Sequence, residues 1–292
     1  MKNYTILYNP HAGNGRGKEN AQELRQILPG DKLAFYDMTQ IPAYQEFFSD
    51  LPQDTQVVIC GGDGTLNRFL NDTAALRLPE SLLYYPGGSG NDFLRDVAQE
   101  GGSKLLPLKD YIAALPKVTV NGKTYEFLNG IGYGIDGYCC QVGDELREKS
   151  AKKVNYTSIA INGLLFHYKP TNAVVTVDGE KHTYHHVWLA PTMNGRYYGG
   201  GMMPTPAQSR LNPDGTVSTM VMYGKGKLKT LAVFPSIFKG EHIRHDEMVE
   251  VLTGHHIRVE FDRPTPLQID GETIPDVTFY EVSGRGGSAA RQ

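Results

Sequence analysis

The chain of 292 residues is short of several things, and each shortage closes a class of function. Cysteine is scarce: Cys60 stands alone and Cys139 and Cys140 are adjacent, so no C-x-x-C ligand spacing exists and free thiols are expected. No apolar run reaches the roughly 18 residues that a membrane-crossing helix needs. Charge of one sign is lacking too, since 29 Lys and Arg oppose 32 Asp and Glu for a formal net charge of -3. That balance gives no global attraction to nucleic acid, and no basic stripe is interleaved with aromatics, so a nucleic-acid partner is excluded. No internal repeat or low-complexity block is found. The start, Met1 to Tyr8, holds one basic residue and an apolar stretch too short for a signal peptide, so it reads as a first strand of a cytoplasmic protein.

What is present describes an ordinary globular chain, with 40% hydrophobic and 21% charged residues. Its length favours two domains. Up to about residue 110, short apolar runs alternate with helix-like segments: Tyr4 to Tyr8, Lys18 to Leu28, Lys32 to Tyr36, Ala43 to Ser49, Gln56 to Cys60, Thr65 to Ala75 and Leu82 to Tyr85. Such alternation implies βαβ units and a parallel sheet.

Beyond Lys109 the texture changes. Asn121-Gly122 separates Lys117 to Val120 from Lys123 to Leu128, and Asp178-Gly179 separates Ala173 to Val177 from His182 to Ala190. Both are hairpin signals, because the central residues of a type I′ turn need positive φ. Further strands are expected at Thr216 to Tyr223, His256 to Phe261, Leu267 to Ile269 and Val277 to Val282, with helices near Val142 to Tyr168 and Leu228 to Phe238. The fold class is therefore α/β plus all-β: an N-terminal nucleotide-binding α/β domain with a parallel sheet over 1–120, and a C-terminal antiparallel β-sandwich domain with inserted helices over 121–282. The apolar-poor segment 283–292 is either a frayed end or a return to the first domain.

Two glycine turns carry most of the chemistry. Gly61-Gly-Asp-Gly-Thr65 follows one strand-like run and Gly87-Gly-Ser-Gly-Asn-Asp92 follows the next, each leading into a helix-like segment. A strand that enters a helix through glycines bares backbone N–H groups at the positive end of a helix dipole, which suits phosphate oxygens. Asp63 and Thr65 fit a second reading as helix-capping groups without a ligand.

In order along the chain stand Tyr8-Asn-Pro10 with Gly13 to Gly17, Gly61 to Thr65, Pro86 to Asp92, Leu128-Asn-Gly-Ile-Gly-Tyr-Gly134, Tyr198-Gly-Gly-Gly-Met202, Pro213-Asp-Gly215 and Ile269-Asp-Gly-Glu272. On these motifs the chain resembles the diacylglycerol kinase catalytic-domain family of lipid kinases, which includes soluble bacterial diacylglycerol kinases and sphingosine kinases.

The resemblance implies a kinase that moves the γ-phosphate of ATP to a lipid hydroxyl, such as that of diacylglycerol, with Mg²⁺ present. It implies nucleotide contacts at Asn9, Pro10, Gly13, Thr39, Gly61, Gly62, Asp63, Gly64, Thr65, Asn67, Arg68, Gly88, Ser89, Asn91 and Asp92. Asp270, with Glu272, is implied as the catalytic base, and Asp63 as a ligand of the nucleotide's Mg²⁺. The loop Leu211 to Thr216 matches a second, structural magnesium site, here reduced to Asp214 and the carbonyls of Leu211 and Thr216. Two positions depart from the family: Arg68 stands where Glu is usual and Ser89 where Thr is usual. Asp178-Gly-Glu180 repeats the catalytic tripeptide within a hairpin signal, and the turn reading stays open for Asp270 as well. His182, His185 and His186 lie on an alternating strand and read as structural.

Membrane contact is expected to be peripheral and transient, at the inner face, through Arg147, Lys149, Lys152 and Lys153 and through Lys225, Lys227 and Lys229, each worth about 1 kcal/mol at an anionic surface. Solvated helix faces are the competing reading of the same charges. Two other functions stay open: an NAD kinase-like enzyme, and a binding or regulatory member of the lipid kinase fold without turnover. Neither the particular lipid nor the oligomeric state is legible in the sequence.

Overall fold

The computed structural model describes residues 1–88, 90–98, 102–149, 159, 163 and 167–286, and of the side chains at 147–149 nothing is said. The chain divides into two compact units, the first through Ala114 and the second from Leu115.

In the first unit, β1 (Asn3–Tyr8), β2 (Lys32–Asp37), β3 (Thr55–Gly61), β4 (Leu82–Pro86) and β5 (Leu106–Pro107) form one sheet in the order β2-β1-β3-β4-β5. The first four are parallel, and the short β5 runs antiparallel to β4 at the edge. Central β3 is the apolar run Val57 to Cys60, almost wholly buried, as a strand covered on both faces must be. Edge strand β2 alternates half-buried and exposed positions instead. From β1 the chain steps to β2 on one side and then to β3 on the other. The carboxyl ends of β1 and β3 therefore flank a topological switch point, the place where open α/β sheets bind ligands.

The second unit holds β6 (Lys117–Val120), β7 (Lys123–Glu126), β8 (Gly130–Tyr133), β9 (Thr171–Val177), β10 (Glu180–Val187), β11 (Thr192–Met193), β12 (Val217–Met222), β13 (Val249–Gly254), β14 (His256–Ile269) and β15 (Glu272–Ser283). They pair antiparallel in the order β13-β12-β11-β8-β14-β15-β6-β7, with β9 also on β14 and β10 on β9. Two expected strands, His256 to Phe261 and Leu267 to Ile269, are one. Pro264 and Pro266 interrupt the pattern between them, and the strand absorbs both at register shifts around Thr265, where the ladder with β15 is itself interrupted. Because it bends there, β14 pairs with β9 through its first half and with β8 through its last residues. Residues such as Val118, Tyr133, Val175, Val217, Val259 and Tyr280 then share one core. A second core gathers Trp188, Met193, Met220, Phe234 and Ile237 around the start of the helix Ile135–Lys149. That helix begins seven residues before its expected start at Val142, immediately after Gly134 at φ 111°, and the later part of the expected segment falls largely outside the described residues.

Three Asx-Gly pairs close hairpins: Asn121-Gly122, Asp178-Gly179 and Asp270-Gly271, with Asx φ of 48°, 49° and 46°. Cys60 and Cys139 are buried and Cys140 is partly exposed. Burial pushes the Cys60 thiol up to about 12 and raises that of Cys139 further, so neither supplies a thiolate at neutral pH.

Candidate active site

Three segments converge at the carboxyl ends of β1, β3 and β4. After β1, Asn9 donates its side-chain amide to Thr65 Oγ1 at 3.0 Å and accepts from the His11 backbone at 3.0 Å, which fixes the loop that follows. Gly17 lies so close to Asn9 that a Cβ there would stand 1.8 Å from the Asn9 carbonyl oxygen. Gly13, at φ 58°, approaches the Gly87 carbonyl, which also accepts from Asn20 Nδ2 at 2.9 Å. The two glycine turns touch backbone to backbone. Gly87 donates to the Gly61 carbonyl at 2.7 Å, and a Cβ on Gly88 would stand 2.3 Å from the Gly62 Cα. Any side chain at Gly88 would force the turns apart, so glycine there answers to packing as well as to ligand approach.

Asp63 ties the turns together. It opens the helix Asp63–Asp72, and its carboxylate accepts from the Asp92 and Phe93 amides at 2.8 and 2.9 Å, capping the helix Asp92–Val97 from a different turn. Asn91, at φ 48°, brackets Gly88 by donating to its carbonyl and accepting from its N–H. The first N–H groups of the helix Asp63–Asp72 have no intrahelical acceptors, and they lie at the carboxyl end of β3. Thr39 follows β2 at the same end of the sheet, with its N–H and hydroxyl both donating to Asp37.

In the second unit, Asp270 and Gly271 form the turn between β14 and β15. The Asp270 carboxylate accepts three backbone amides, from Leu128 at 2.5 Å, Asn129 at 2.8 Å and Gly130 at 3.0 Å, while its own N–H donates to the Gly130 carbonyl. Beneath it, buried Arg210 donates to the Leu128 carbonyl and to Asn129 Oδ1 at 3.1 and 3.0 Å, and Asn194 donates to the Leu128 carbonyl at 2.9 Å. Gln268 accepts from the Gly271 N–H at 2.7 Å. Glu272 is exposed at the start of β15, and its carboxylate takes no hydrogen bond among the described residues. Nearby, buried Asp136 accepts from the Tyr198 hydroxyl at 2.7 Å, and burial pushes its carboxyl up to about 6 against the pull of that bond and of the Gly137 amide.

Residues 3–119 match the family model for the diacylglycerol kinase catalytic domain, and residues 129–282 match the model described as the YegS C-terminal NAD kinase beta sandwich-like domain. The chain belongs to the diacylglycerol kinase catalytic-domain family. A Mycobacterium tuberculosis protein named diacylglycerol kinase is 27% identical over 269 residues, covering 84% of this chain and 81% of that one. A Bacillus subtilis diacylglycerol kinase is 24% identical over 295 residues, covering 93% and 90%. Among solved structures, a diacylglycerol kinase from Bacillus anthracis superposes with a TM-score of 0.58 at 20% identity, covering 97% of this chain and 94% of that one, which shows the fold. The protein is thus a kinase of the lipid kinase family.

Several residues that the family resemblance brings to the nucleotide have partners within the protein. Asp63, expected on Mg²⁺, accepts a backbone N–H hydrogen bond on each oxygen, because the helix Asp92–Val97 needs an acceptor for its first N–H groups and no side chain of its own caps it. Asn67 is buried and its Oδ1 accepts from Asn71, one turn on. Arg68 is exposed on the helix Asp63–Asp72 and lies near the Tyr44 hydroxyl, whose deprotonation it favours while burial and Asp72 oppose it. Gly62, Gly64, Thr65, Gly88, Asn91 and Asp92 are gathered with Asn9, Pro10 and Gly13 at the carboxyl ends of β1, β3 and β4, and Ser89 lies outside the described residues.

The loop Leu211 to Thr216 does not fit a magnesium ion. The Thr216 carbonyl already accepts from Gln208 Nε2 at 3.0 Å and Asn212 Nδ2 at 2.9 Å, and Asp214 is its one carboxylate, exposed to solvent. Among the described residues no group of three or more His, Cys, Asp or Glu could hold a metal. Sequence reasoning missed Asn20, which positions backbone at the second glycine turn, and Gln268, which does so at the Asp270-Gly271 turn. Asn20 carried a signal, since a lone Asn on the helix-like run after a glycine loop has a side chain able to reach back to a carbonyl.

Proposed function

We propose that this kinase transfers the γ-phosphate of ATP to the free hydroxyl of a lipid, with diacylglycerol the leading acceptor. The observation that carries the reading is the meeting of Asn9 to Gly17, Gly61 to Thr65 and Gly87 to Asp92 at one switch point, in a family whose matched relatives bear the name diacylglycerol kinase. Backbone N–H groups of the two glycine turns would hold the nucleotide's phosphates, with the helix Asp63–Asp72 adding the favourable end of its dipole. When bound, Mg²⁺ supplies neutralisation of charge on the β- and γ-phosphates. With the Asp63 oxygens committed, the phosphates themselves and water would be its main ligands, as Mg²⁺ commonly accepts.

Of the Asp270-Gly-Glu272 tripeptide, Glu272 is the better proton acceptor. At least three of the roughly four lone-pair sites of the Asp270 carboxylate are engaged, whereas the Glu272 carboxylate is exposed and open to a substrate hydroxyl. Phosphoryl transfer passes through a loose transition state, so a carboxylate of ordinary basicity suffices to orient the hydroxyl and take its proton late. Asp270 would position Glu272 by holding the turn. Lys225, Lys229 and the exposed Leu228 would rest on a lipid surface, although Lys229 already pairs with Glu247 at 3.2 Å. Among the described residues no helix is long and apolar enough to cross a membrane.

Arg68 favours a second reading, a member that binds nucleotide without turnover, since it reverses a charge usual in the family. Radiolabelled phosphate transfer from ATP to a lipid panel that includes diacylglycerol, with NAD as a separate acceptor, separates the readings. Label in diacylglycerol is expected. Label in NAD alone overturns the lipid assignment, and label in nothing favours the binding protein.

A further inference from the structure

The segment that follows β15 returns to the loop between Ser209 and Thr216. Gly284 donates its N–H to the His255 carbonyl at 2.7 Å, and a Cβ on Gly284 would stand 2.4 Å from the Gly215 carbonyl oxygen. Gly215, at φ 73°, approaches equally closely, since its Cβ would stand 1.9 Å from the Arg285 carbonyl oxygen. Two glycines on two strands of chain are thus what allow this contact. Arg285 then directs its guanidinium at the loop, and Nη2 donates to the Asn212 carbonyl at 2.5 Å.

Asn212 is the hub of that loop. Its carbonyl also accepts from Gly215, its Nδ2 donates to the Ser209 and Thr216 carbonyls at 2.8 and 2.9 Å, and its Oδ1 accepts from the Thr216 N–H at 3.1 Å. A cation placed at the Asn212 carbonyl therefore holds the whole loop. Asp214 is exposed and forms no part of this arrangement. A cavity of about 320 Å³ borders the loop, and its polar lining, including Thr205, Gln208, Asn212, Ser218 and Thr253, contains no carboxylate. Hard divalent cations need anionic oxygen to offset their dehydration, and neutral amides and hydroxyls offer little of it. The charge already present opposes a second cation. Burial and the neighbouring Arg210 guanidinium both push the Arg285 pKa below its usual value, so two positive groups already share this region.

We propose that Arg285 occupies the cation position of the Ser209–Thr216 loop, so that a guanidinium of the chain itself does the structural work of a divalent ion and the second unit folds without metal. The loop's order then depends on a side chain from the segment after β15 rather than on ion concentration. Any need for Mg²⁺ in turnover would reduce to the ion that travels with the nucleotide. The inference does not rest on the kinase reading, because it concerns the fold of one loop with no nucleotide bound.

The test uses the full chain without ATP, in Mg²⁺ or in chelator. Wild-type Tm is expected to agree within about 1 °C between the two conditions. In Arg285→Ala, amide exchange at Gly215 and Thr216 is expected to accelerate about tenfold or more, as loss of a charged hydrogen bond would allow. Arg285→Lys keeps the charge but loses the planar fork, and it should fold while exchanging at least about threefold faster at the same amides. A saturable rise of wild-type Tm with Mg²⁺ that disappears in Asp214→Asn would overturn the proposal. So would wild-type exchange rates in both Arg285 variants.

Discussion

Asp178-Gly-Glu180 and Asp270-Gly-Glu272 are one tripeptide used twice, and their backbones do the same thing. Each Asp sits at positive φ, donates its N–H to a neighbouring strand, and accepts that strand's amides with its carboxylate: Asp178 from His255 and His256, Asp270 from Leu128, Asn129 and Gly130. The surroundings differ. His255 and His256 are exposed, so water can replace Asp178 as their acceptor, and Glu180 stands 3.9 Å from His182. Leu128 and Asn129 are buried above Arg210 and Asn194, so nothing replaces Asp270, and the Glu272 carboxylate has no hydrogen-bond partner among the described residues. The tripeptide therefore specifies a clamped hairpin, and only the packing beneath it separates a fastening from a candidate reaction site.

The comparison breaks first on turnover. Glu272→Gln is expected to lower lipid phosphorylation at saturating ATP by about 10² to 10⁴, the usual worth of a general base. Glu180→Gln should stay within about twofold. Equal losses in the two would remove any special role from the later copy. The next largest effect is on stability. In Asp270→Asn the turn keeps a residue that tolerates positive φ, but an amide donor now faces one of three buried N–H groups, and urea denaturation should show a loss of about 3 to 4 kcal/mol. A loss under about 1 kcal/mol would mean that the three amides find other partners.

A third aspartate sharpens the contrast, because Asp136 is buried with only the Tyr198 hydroxyl and the Gly137 amide to hold its charge. Its carboxyl is pushed up to about 6 by burial, above the value near 3.9 that it has in an unfolded chain. A raised folded pKa means that the folded state favours the protonated acid. Its contribution is fully present below about pH 4 and is lost as pH rises through about 6, a fall of roughly 2 to 3 kcal/mol. Asp136→Asn should flatten that part of the stability profile, and an unchanged slope between pH 4 and 6 would contradict the burial argument.

Much of this was legible in the sequence because it rests on local rules. Val57 to Cys60 had to be a buried strand, the two glycine turns had to lie at strand ends, and the Asx-Gly pairs had to close hairpins. What was not legible depended on partners far away in the chain. Asp63 acts on amides some 30 residues later and Asp270 on amides some 140 residues earlier, so no local pattern could tell a ligand from a cap. Asn67 looked available because it follows the turn motif, yet helical geometry carries it inward at that position. The metal loop was matched on Pro213-Asp-Gly215, and the guanidinium that reaches it comes from a segment that sequence alone read as a frayed end or a return to the first domain.

The smallest effect belongs to Asp178, and its sign is opposite to that of Asp136. Burial is the largest single influence and pulls its carboxyl up, but the amides of His256 and His255, joined by the electrostatic pull of the two imidazoles, together outweigh it and leave the pKa lowered. A depressed folded pKa means that the ionised form is favoured in the folded state. The stabilisation is therefore present above the unfolded value near 3.9 and disappears as pH falls through the folded one. Asp178→Asn should cost about 1 kcal/mol or less at pH 7, since the amides it serves are exposed, and the gap from wild type should close in acid. Stability measured from pH 7 down to about pH 2 thus separates the aspartates by slope: Asp178 loses its advantage where Asp136 has just gained its own. Were the gap at Asp178 to persist unchanged in acid, the amides would be held by the turn's shape rather than by its charge, and the likeness to Asp270 would be one of backbone alone.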